Sequence, residues 1–499
     1  MTIIFSPPTE SAGDAFHHGE AAKGNIEAAE SAIAAVSAAL SGAADHDKIL
    51  LRAAAGAGKS YALVRMVGEA LEHPNCSRVA VTAFANKQIH PLAGDLGKAL
   101  GAEKVCLFVA ADRLPDVPQE VRDNVSIATT TASIPRSCEV VLGTSHKLGA
   151  LGERRRLLDH LGPAGNGSVP FDVLFVDEAW QLPRHRYSTV EKLAPLSVGV
   201  GDVGQLPPID PSQNPWRGDP GYNPYRAWPT AYEGSATAFV VDLPAVWRPT
   251  AAQLPLWRAF YSDWDRLDCV AAPGDRSVEL PPLSGEAAAI WGSVASGNPT
   301  LVEIDGLLAA EAADVDLPLL GLVEQLLIPL LEGGFSILSR RYDGQGTPVD
   351  DVRVHSAAPE GDPLIVVLAT RNQTVDDATD MVQRLTDMYD LPDGVLVAST
   401  VDSWQGQTNA ITVAIHPLSG AQQLDEFNSA FGRLAVTCTR ATHGLLMVAR
   451  SGLDDLLGTA PARPGTPLGE PGSRSLPRQT HQRILTAFSR GALTVEEAT

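Results

Sequence analysis

The spacing of hydrophobic positions changes near residue 46. Between residues 19 and 41, apolar side chains recur every three or four positions, which predicts one amphipathic helix with a narrow apolar stripe. From about Lys48, short apolar runs alternate with longer amphipathic stretches. The runs predict strands at Ile49–Arg52, Arg78–Thr82, Val140–Gly143, Phe171–Val176 and Ser197–Gly201. Short strands separated by helical stretches indicate an α/β protein with a parallel sheet of β-α units.

A second alternation follows residues 211–232, which are rich in Pro, Gly and aromatic residues and predict an irregular loop. Its strands are predicted at Phe239–Asp242, Leu364–Ala369, Val395–Ser399, Ile411–Ile415 and Leu445–Val448. An insert at about 263–361 contains a predicted buried helix, Leu317 to Leu331, which Pro329 should end. The predicted divisions are a helical arm (1–45), a first domain (46–235), a second domain (236–460) and a Pro-rich linker with a helix (461–499).

Composition narrows the class of protein. The 499 residues are 44% hydrophobic and 19% charged, as in globular proteins. The five cysteines are scattered, which argues against a zinc or iron–sulfur site and against a disulfide framework. No apolar stretch is long enough for a membrane span and no secretory signal is evident, so we expect a reduced, cytoplasmic protein. The net charge of −21 argues against a surface that coats nucleic acid, but it does not exclude a local basic groove.

Small residues follow the first predicted strand and end in Gly-Lys-Ser at a predicted helix start. Residues 53–60 read Ala-Ala-Ala-Gly-Ala-Gly-Lys-Ser. This is the context of a phosphate loop, with Ala53 where the strict pattern has Gly. Gly56 and Gly58 would let backbone N–H groups approach phosphates, Lys59 would reach the β- and γ-phosphates, and Ser60 would bind Mg²⁺.

Two carboxylates leave the tip of the predicted strand Phe171–Val176. Asp177 is expected in the magnesium shell, and Glu178 is expected to polarise the attacking water as a general base. Alone, such a pair is usually a solvated turn. With the phosphate loop it indicates nucleotide hydrolysis. Gln205, in the turn after the next strand, is expected to sense the γ-phosphate.

These motifs occur in the order found in superfamily 1 helicases. The chain resembles subclass B of that superfamily, the group that includes the RNA helicase of nonsense-mediated decay. The resemblance covers about residues 46–450, through segments 53–60, 82–87, 143–146, 177–181, 201–208, 243–248, 260–261, 369–373, 400–406 and 433–441.

The resemblance implies two tandem RecA-like P-loop NTPase domains with parallel sheets and short accessory insertions. It also implies ATP and Mg²⁺ as cofactors, bound in a cleft between the domains. Arg248 and Arg440 would be arginine fingers that stabilise charge on the transferring phosphoryl group. Gln405 and Gly406 would contribute to nucleotide binding.

Single-stranded nucleic acid is the partner that the resemblance implies. The residues that would contact it are Thr82, Asn86, Lys87, Thr144, Ser145, Trp216 and Thr400. Taken singly, Thr144 and Ser145 are better explained as helix caps. Trp216 either stacks on a base or packs its loop onto the domain, and the sequence does not choose between these roles.

Two functions remain open. The first is an ATP-dependent helicase or translocase on single-stranded nucleic acid, with DNA and 5′-to-3′ movement as the expected choice. The second is a nucleic-acid-gated ATPase switch that works with a partner such as a nuclease in defence or repair, without processive unwinding. The short accessory segments and the acidity favour the second function somewhat.

Overall fold

The structure is a computed structural model that describes residues 3–9, 13–165, 167–204, 208, 214–216, 222–262, 264–312, 314–425, 428, 431–460 and 477–495. It divides into two compact units. The first unit comprises Gly24–Val203 and Pro207–Pro244, and the second unit comprises Met1–Lys23, Gly204–Leu206 and Ala245–Thr499. Among the described helices, none is both long and apolar enough to cross a membrane.

The first unit contains a parallel sheet of eight strands. The strands are β1 Lys48–Ala53, β2 Val79–Ala83, β3 Val105–Phe108, β4 Ser126–Ala128, β5 Val140–Thr144, β6 Val173–Asp177, β7 Leu196–Asp202 and β8 Ala238–Leu243. Their order is β4-β3-β5-β2-β6-β7-β1-β8. Strands β2 and β6 are buried along their whole length, as expected where helices cover both faces of a parallel sheet.

Seven α-helices lie in the described residues of this part of the chain. They are α1 His18–Ser41, α2 Lys59–Glu72, α3 Asn86–Leu100, α4 Gln119–Asn124, α5 Ser145–Leu148, α6 Glu153–Leu161 and α7 Arg184–Val190. The boundary between the units falls within α1, after Lys23. The first core combines sheet residues such as Leu174 with a stacked pair, Tyr187 and Trp228, whose ring centroids are 4.1 Å apart.

The second unit contains a six-stranded parallel sheet and two smaller sheets. Its strands are β9 Ala245–Val246, β10 Asp268–Cys269, β11 Arg276–Glu279, β12 Thr300–Asp305, β13 Ser336–Tyr342, β14 Pro348–His355, β15 Ile365–Ala369, β16 Leu396–Thr400, β17 Asn409–Ile415, β18 Ala441–Arg450 and β19 Ser489–Thr494. The large sheet has the order β16-β15-β17-β18-β12-β19, β11-β13-β14 form an antiparallel sheet, and β9 pairs with β10.

The helices of the second unit are α8 Leu254–Phe260, α9 Gly285–Ala295, α10 Leu317–Gly333, α11 Asn372–Tyr389, α12 Phe431–Cys438, α13 Leu453–Thr459 and α14 Pro477–Thr486. The core of this unit is built around the large sheet and the apolar face of α10. The predicted α/β class, with two tandem RecA-like parallel sheets, is confirmed.

Several strands differ from the pattern-based prediction. The run Phe239–Asp242, which the pattern assigns to the second alternation, forms β8 and pairs with β1 in the first sheet. Strands β3 and β4, which extend the other end of that sheet, have only four and three residues, too few to give a recognisable period. In the large second sheet, β12 comes from the predicted insert and β19 from the predicted C-terminal segment.

The helix around Pro329 is longer than predicted. α10 continues through Pro329 to Gly333, whereas the sequence suggested that this proline would end it. Proline removes one backbone hydrogen bond from a helix. Leu326, Leu327, Leu330 and Leu331 are all buried around the proline, and their packing offsets that loss.

Buried His443 makes the stability of the second unit depend on pH. Its ring contacts Ser339 Oγ at 2.9 Å and Thr442 Oγ1 at 2.7 Å. Burial, and then the charge of Arg276, lower the pKa of His443 to about 3. The unfolded chain, with an ordinary histidine pKa near 6.5, takes up the proton first as pH falls. The stabilising contribution is therefore complete above pH 6.5 and is lost as pH falls towards 3.

We expect His443→Gln to make the protein less sensitive to acid. Between pH 7.5 and pH 5, the wild type should lose about 2 kcal/mol of unfolding free energy more than the variant does. The measurement is the denaturant midpoint at both pH values. His355→Gln, at an exposed histidine of the same unit, is the control and should behave like the wild type. Equal acid sensitivity of His443→Gln and His355→Gln would contradict the expectation.

Candidate nucleotide site

The turn between β1 and α2 has the backbone that the phosphate-loop prediction requires. Gly56 and Gly58 have φ angles of 71° and 90°, a region that residues with a Cβ rarely adopt. Gly58 is the N-cap of α2, so Lys59 and Ser60 occupy its first turn. The first N–H groups of a helix have no intrahelical acceptor and favour an anion.

Asn25 of α1 forms a hydrogen bond with the backbone of this turn. Its buried side-chain amide donates a hydrogen bond to the carbonyl oxygen of Ala57, at 2.9 Å. Because the bond fixes the peptide just before Gly58, Asn25 stabilises the conformation of the loop. Nothing in the sequence singles out Asn25, because its role depends on a turn that lies 32 residues further along the chain.

Three acidic side chains converge on Lys59. Strands β6, β7 and β1 are neighbours, so their carboxyl ends lie at one edge of the sheet. Lys59 Nζ is 3.1 Å from Glu178 Oε1 and 3.9 Å from Asp202 Oδ2. Asp177 is buried at the end of β6, and its Oδ1 accepts a hydrogen bond from the Glu178 backbone N–H. The structure thus brings Lys59, Asp177 and Glu178 together and adds Asp202, which was not among the predicted site residues.

The electrostatics of this cluster suit a cation and a phosphate. Burial, and then the Glu178 carboxylate, raise the pKa of Asp177 to about 7. Burial alone would lower the pKa of Lys59, but the carboxylates of Glu178, Asp202 and Asp177 raise it above its usual value. A buried carboxyl group that is costly to ionise is stabilised as the anion by a divalent cation. The residues therefore fit Mg²⁺.

Ser60 and Asp177 are the protein groups that could bind Mg²⁺ carried by a nucleotide. Within the described residues, no group of three or more His, Cys, Asp and Glu side chains could hold a metal ion. Mg²⁺ in phosphate-transfer sites is bound by one or two protein oxygens together with substrate phosphates. Ser60 and Asp177 would supply those oxygens, and the turn at Gly56 and Gly58 would receive the phosphates.

Glu178 is held in an unusual backbone conformation. Its φ of 48° lies in the left-handed region and starts a 3-10 turn, Ala179–Gln181. Strand β7 approaches this turn closely, since a Cβ added to Gly201 would lie 2.8 Å from Ala179 N. Only glycine at position 201 allows this approach. Such backbone strain, about 1–3 kcal/mol, occurs where the surrounding structure fixes a functional side chain.

Five of the predicted nucleic-acid residues lie at the carboxyl ends of β2 and β5, which pair at Ala83 and Thr144. Asn86 is partly exposed and Lys87 is exposed, whereas Thr82 is buried within β2. Thr144 caps α5 by accepting a hydrogen bond from Lys147 N, at 3.3 Å. The hydroxyl groups of Thr82 and Ser145 are buried without a hydrogen-bond partner among the described residues. Contact of these residues with nucleic acid stays a prediction.

An aromatic pair at the same edge was missed among the predicted site residues. The ring of Phe84, which is 37% exposed, lies 5.8 Å from the ring of exposed His146. Burial, and then the neighbouring basic residues Arg186 and His185, lower the pKa of His146. Basic groups of α7 therefore lie beside this pair, which makes a local basic surface in an acidic chain. Phe84 and His146 both stand inside the segments that resemble helicase motifs, and this was the signal available in the sequence.

Trp216 is surrounded by other aromatic residues. It is 39% exposed, and its ring lies 6.5 Å from Tyr222 and 6.3 Å from Tyr225, without face-to-face stacking on either. Part of the indole remains accessible, so both roles considered for Trp216 stay open. Gln205 lies outside the described residues.

The remaining predicted residues are in the second unit. Arg248 Nη1 donates to Thr439 O at 3.0 Å, and Arg440 Nη2 donates to Thr439 Oγ1 at 2.9 Å. Arg440 is 1% exposed and also donates to Val436 O. The structure brings the two arginines together at Thr439. Thr400 ends β16, where its Oγ1 accepts from Ser403 N at 3.0 Å. Gln405 and Gly406 are in the turn that follows, and Gly406 has a φ of 87°.

Comparison with known proteins gives distant similarity in fold. No family model matches the chain, and no curated protein matches it. Among solved structures, the chain is similar to the Arterivirus nonstructural protein 10 helicase, at 13% identity, a TM-score of 0.39 and coverage of 86% of this chain and 63% of that chain. For the complex of that helicase with DNA, the identity is 14%, the TM-score is 0.40, and the match covers 86% of this chain and 64% of that chain. For the PRRSV helicase, the identity is 14%, the TM-score is 0.35, and the match covers 86% of this chain and 56% of that chain. The chain spans less than two thirds of the length of each, and no activity or substrate is assigned from them.

Proposed function

We propose that this chain is an ATP-dependent helicase or translocase of superfamily 1, subclass B. It would act on single-stranded DNA and move in the 5′-to-3′ direction. The observation that carries the proposal is the convergence of Lys59, Asp177 and Glu178 beside a phosphate-loop turn, with Lys59 Nζ 3.1 Å from Glu178 Oε1. Hydrolysis of a nucleoside triphosphate needs a phosphate cradle, a metal carboxylate and a base for water, and the first unit supplies a candidate for each.

The proposed roles follow from position. Lys59 and the N–H groups at the start of α2 bind the phosphates, Ser60 and Asp177 hold Mg²⁺, and Glu178 orients and deprotonates water. Bound Mg·ATP supplies the phosphoryl group and a cation that offsets its charge. Gln205, Arg248 and Arg440 are proposed as catalytic residues, and Gln405 and Gly406 as further nucleotide contacts, because of their place in the helicase-like motifs.

Polynucleotide binding is proposed at the carboxyl ends of β2 and β5. The exposed Phe84 ring offers a stacking surface, and stacking on an aromatic side chain is worth about 1–3 kcal/mol per base. Lys87 and the basic residues of α7 suit phosphate groups. Because the whole chain carries a net charge of −21, we expect binding at local basic surfaces such as this one and not over the whole protein.

The test compares ATP hydrolysis with single-stranded DNA, single-stranded RNA, duplex DNA and no polynucleotide. We expect single-stranded DNA to give the highest rate, and the stimulation to weaken as salt rises, because phosphate contacts release counterions. ATP hydrolysis that no polynucleotide stimulates would overturn the proposal.

Strand displacement then separates a motor from a switch. We expect unwinding of a duplex with a 5′ overhang, and none of the matched duplex with a 3′ overhang. Stimulated hydrolysis without displacement or movement on either substrate would instead favour the ATPase switch that works with a partner protein such as a nuclease.

A further inference from the structure

An unbroken chain of side-chain hydrogen bonds connects the start of α3 with Glu178. The backbone N–H of Ala85 donates to Gln88 Oε1, at 3.0 Å. Gln88 Nε2 donates to Gln181 Oε1 at 2.8 Å, and Gln181 Nε2 donates to Glu178 Oε2 at 3.1 Å. We call these two side-chain amides, Gln88 and Gln181, the amide relay. All its members belong to the first unit.

The two ends of the amide relay fix its direction. The Ala85 N–H can only donate, and the Glu178 carboxyl group, which lies 3.1 Å from Lys59 Nζ, is the acceptor at the other end. Each glutamine must therefore accept on the Ala85 side and donate on the Glu178 side. If both amides were reversed, an NH₂ group would face the Ala85 N–H and a carbonyl oxygen would face the carboxylate. The relay is thus a polar connection with one stable orientation, although its glutamines are 93 residues apart in sequence.

Both oxygens of Glu178 are engaged while the relay is intact. Oε1 lies 3.1 Å from Lys59 Nζ, and Oε2 accepts from Gln181. These two donors fix the orientation of the carboxylate and stabilise its negative charge, which makes Glu178 a weaker base towards water. The intact relay therefore corresponds to a resting state of the proposed base.

The other end of the relay lies within the proposed polynucleotide surface. Ala85 stands between the exposed residues Phe84 and Lys87, at the point where β2 turns into α3. A polynucleotide that contacts these neighbours would shift the Ala85 peptide, and with it the acceptor position that Gln88 occupies. The relay then transmits that shift to Gln181 and Glu178 without any rearrangement of the sheet.

We propose that Gln88 is a positioning residue that restrains Glu178 until a polynucleotide occupies the surface around Phe84 and Lys87. The inference rests on the proposed function and specifies how the nucleotide site is regulated. Occupancy draws Gln88 away from Gln181, Gln181 releases Oε2, and Glu178 becomes free to accept a proton from water. Gln88 and Gln181 thus lower the rate of ATP hydrolysis when no nucleic acid is bound.

Gln88→Glu is the most informative variant, because it keeps the hydrogen bond with Ala85 N and replaces the donor to Gln181 with an acceptor. One carboxylate oxygen of Glu still accepts from Ala85 N, so the start of α3 keeps its cap. The other oxygen replaces an amino group and faces Gln181 Oε1, which forces the Gln181 amide to turn and withdraw its donor from Glu178. We expect the ATPase rate without polynucleotide to rise about tenfold, the factor for loss of one hydrogen bond to a charged group.

The accompanying readouts separate positioning from a structural effect. The ratio of stimulated to unstimulated rate should fall towards one, while the dissociation constant for single-stranded DNA, measured by direct binding, should not rise, because the variant leaves Phe84 and Lys87 in place. Gln181→Leu removes the donor directly and should give the same phenotype. Because the two residues act in series, adding Gln88→Glu to Gln181→Leu should change nothing further. Gln119→Glu, at an exposed position of α4 in the same unit, is the control and should behave like the wild type.

Amide hydrogen exchange without nucleotide gives an independent readout. In the wild type, single-stranded DNA should speed exchange in residues 178–182, and in Gln88→Glu exchange there should already be fast and insensitive to DNA. The proposed restraint of Glu178 would be refuted if the ATPase rate of Gln88→Glu without polynucleotide stayed within twofold of the wild-type rate. It would also be refuted if only the stimulated ATPase rate fell. A wild-type rate that no polynucleotide raises would refute the proposed function as well, so the two failures are distinguishable.

Discussion

Glu178→Gln should lower stimulated ATP hydrolysis by about 10²–10⁴-fold, the range for loss of a general base. The amide keeps the shape of the side chain but cannot take a proton from water. Nucleotide binding should remain, because the phosphate loop and Asp177 are unchanged. Since the Glu178 charge raises the pKa of Asp177, its removal should also make Asp177 easier to ionise and thus favour bound Mg²⁺.

Steady-state hydrolysis and equilibrium binding of a fluorescent ATP analogue with Mg²⁺ check this expectation. Glu69→Gln, on α2 in the same unit, makes the same chemical change away from the site and should be neutral. Hydrolysis that survives Glu178→Gln would show that another group activates water. Loss of nucleotide binding together with hydrolysis would assign Glu178 to binding instead of catalysis.

Lys59→Met should abolish hydrolysis through binding as well as catalysis. The variant removes the cation that lies among three carboxylates, and Glu178, Asp202 and Asp177 would then face each other without it. Because the Lys59 charge lowers the pKa of Asp177, its loss should make that carboxyl harder to ionise. We expect about 10³-fold slower hydrolysis, a loss of about 4 kcal/mol of transition-state stabilisation, together with weaker binding of the nucleotide.

The same two measurements test Lys59→Met, with Lys192→Met at an exposed lysine of the first unit as the control. The contrast between the variants is informative, since Glu178→Gln should separate hydrolysis from binding and Lys59→Met should not. An unchanged dissociation constant for Mg·ATP in Lys59→Met would contradict the phosphate role of Lys59.

Sequence patterns were most informative where chemistry and backbone geometry require particular residue types. Gly56, Gly58, Lys59 and the Asp177–Glu178 pair could be located because a phosphate turn and a strand-end carboxylate pair each have a local signature. The five strands of the first alternation were placed within two residues of their observed ends for the same reason, since buried parallel strands are continuous apolar runs.

Features that depend on tertiary packing could not be read from the chain. The sequence of β8 predicts a strand but does not indicate which of the two sheets it joins. Its pairing with β1 places it in the first sheet. Gln88 gains its role from a contact with Gln181, and nothing near Gln88 in sequence indicates that partner. Asn25 is a similar case, because its position beside the phosphate loop follows from the order of strands and helices. Asp202 stands inside the helicase-like segment 201–208, but its approach to Lys59 depends on the pairing of β7 with β1.

The pairing of Ser6 with Arg490 in the second unit has a consequence for synthesis on the ribosome. Ser6 and Arg490 exchange backbone hydrogen bonds of 2.8 and 3.0 Å, and β19 forms one edge of the large sheet. The first unit is complete at Pro244, whereas that sheet needs residues up to Thr494, which emerge 250 residues later. At about 5–20 residues per second, this leaves roughly 12–50 s in which the first unit can fold alone. A nascent chain would thus acquire its phosphate loop and carboxylate pair well before the segment that carries Arg248 and Arg440 can fold.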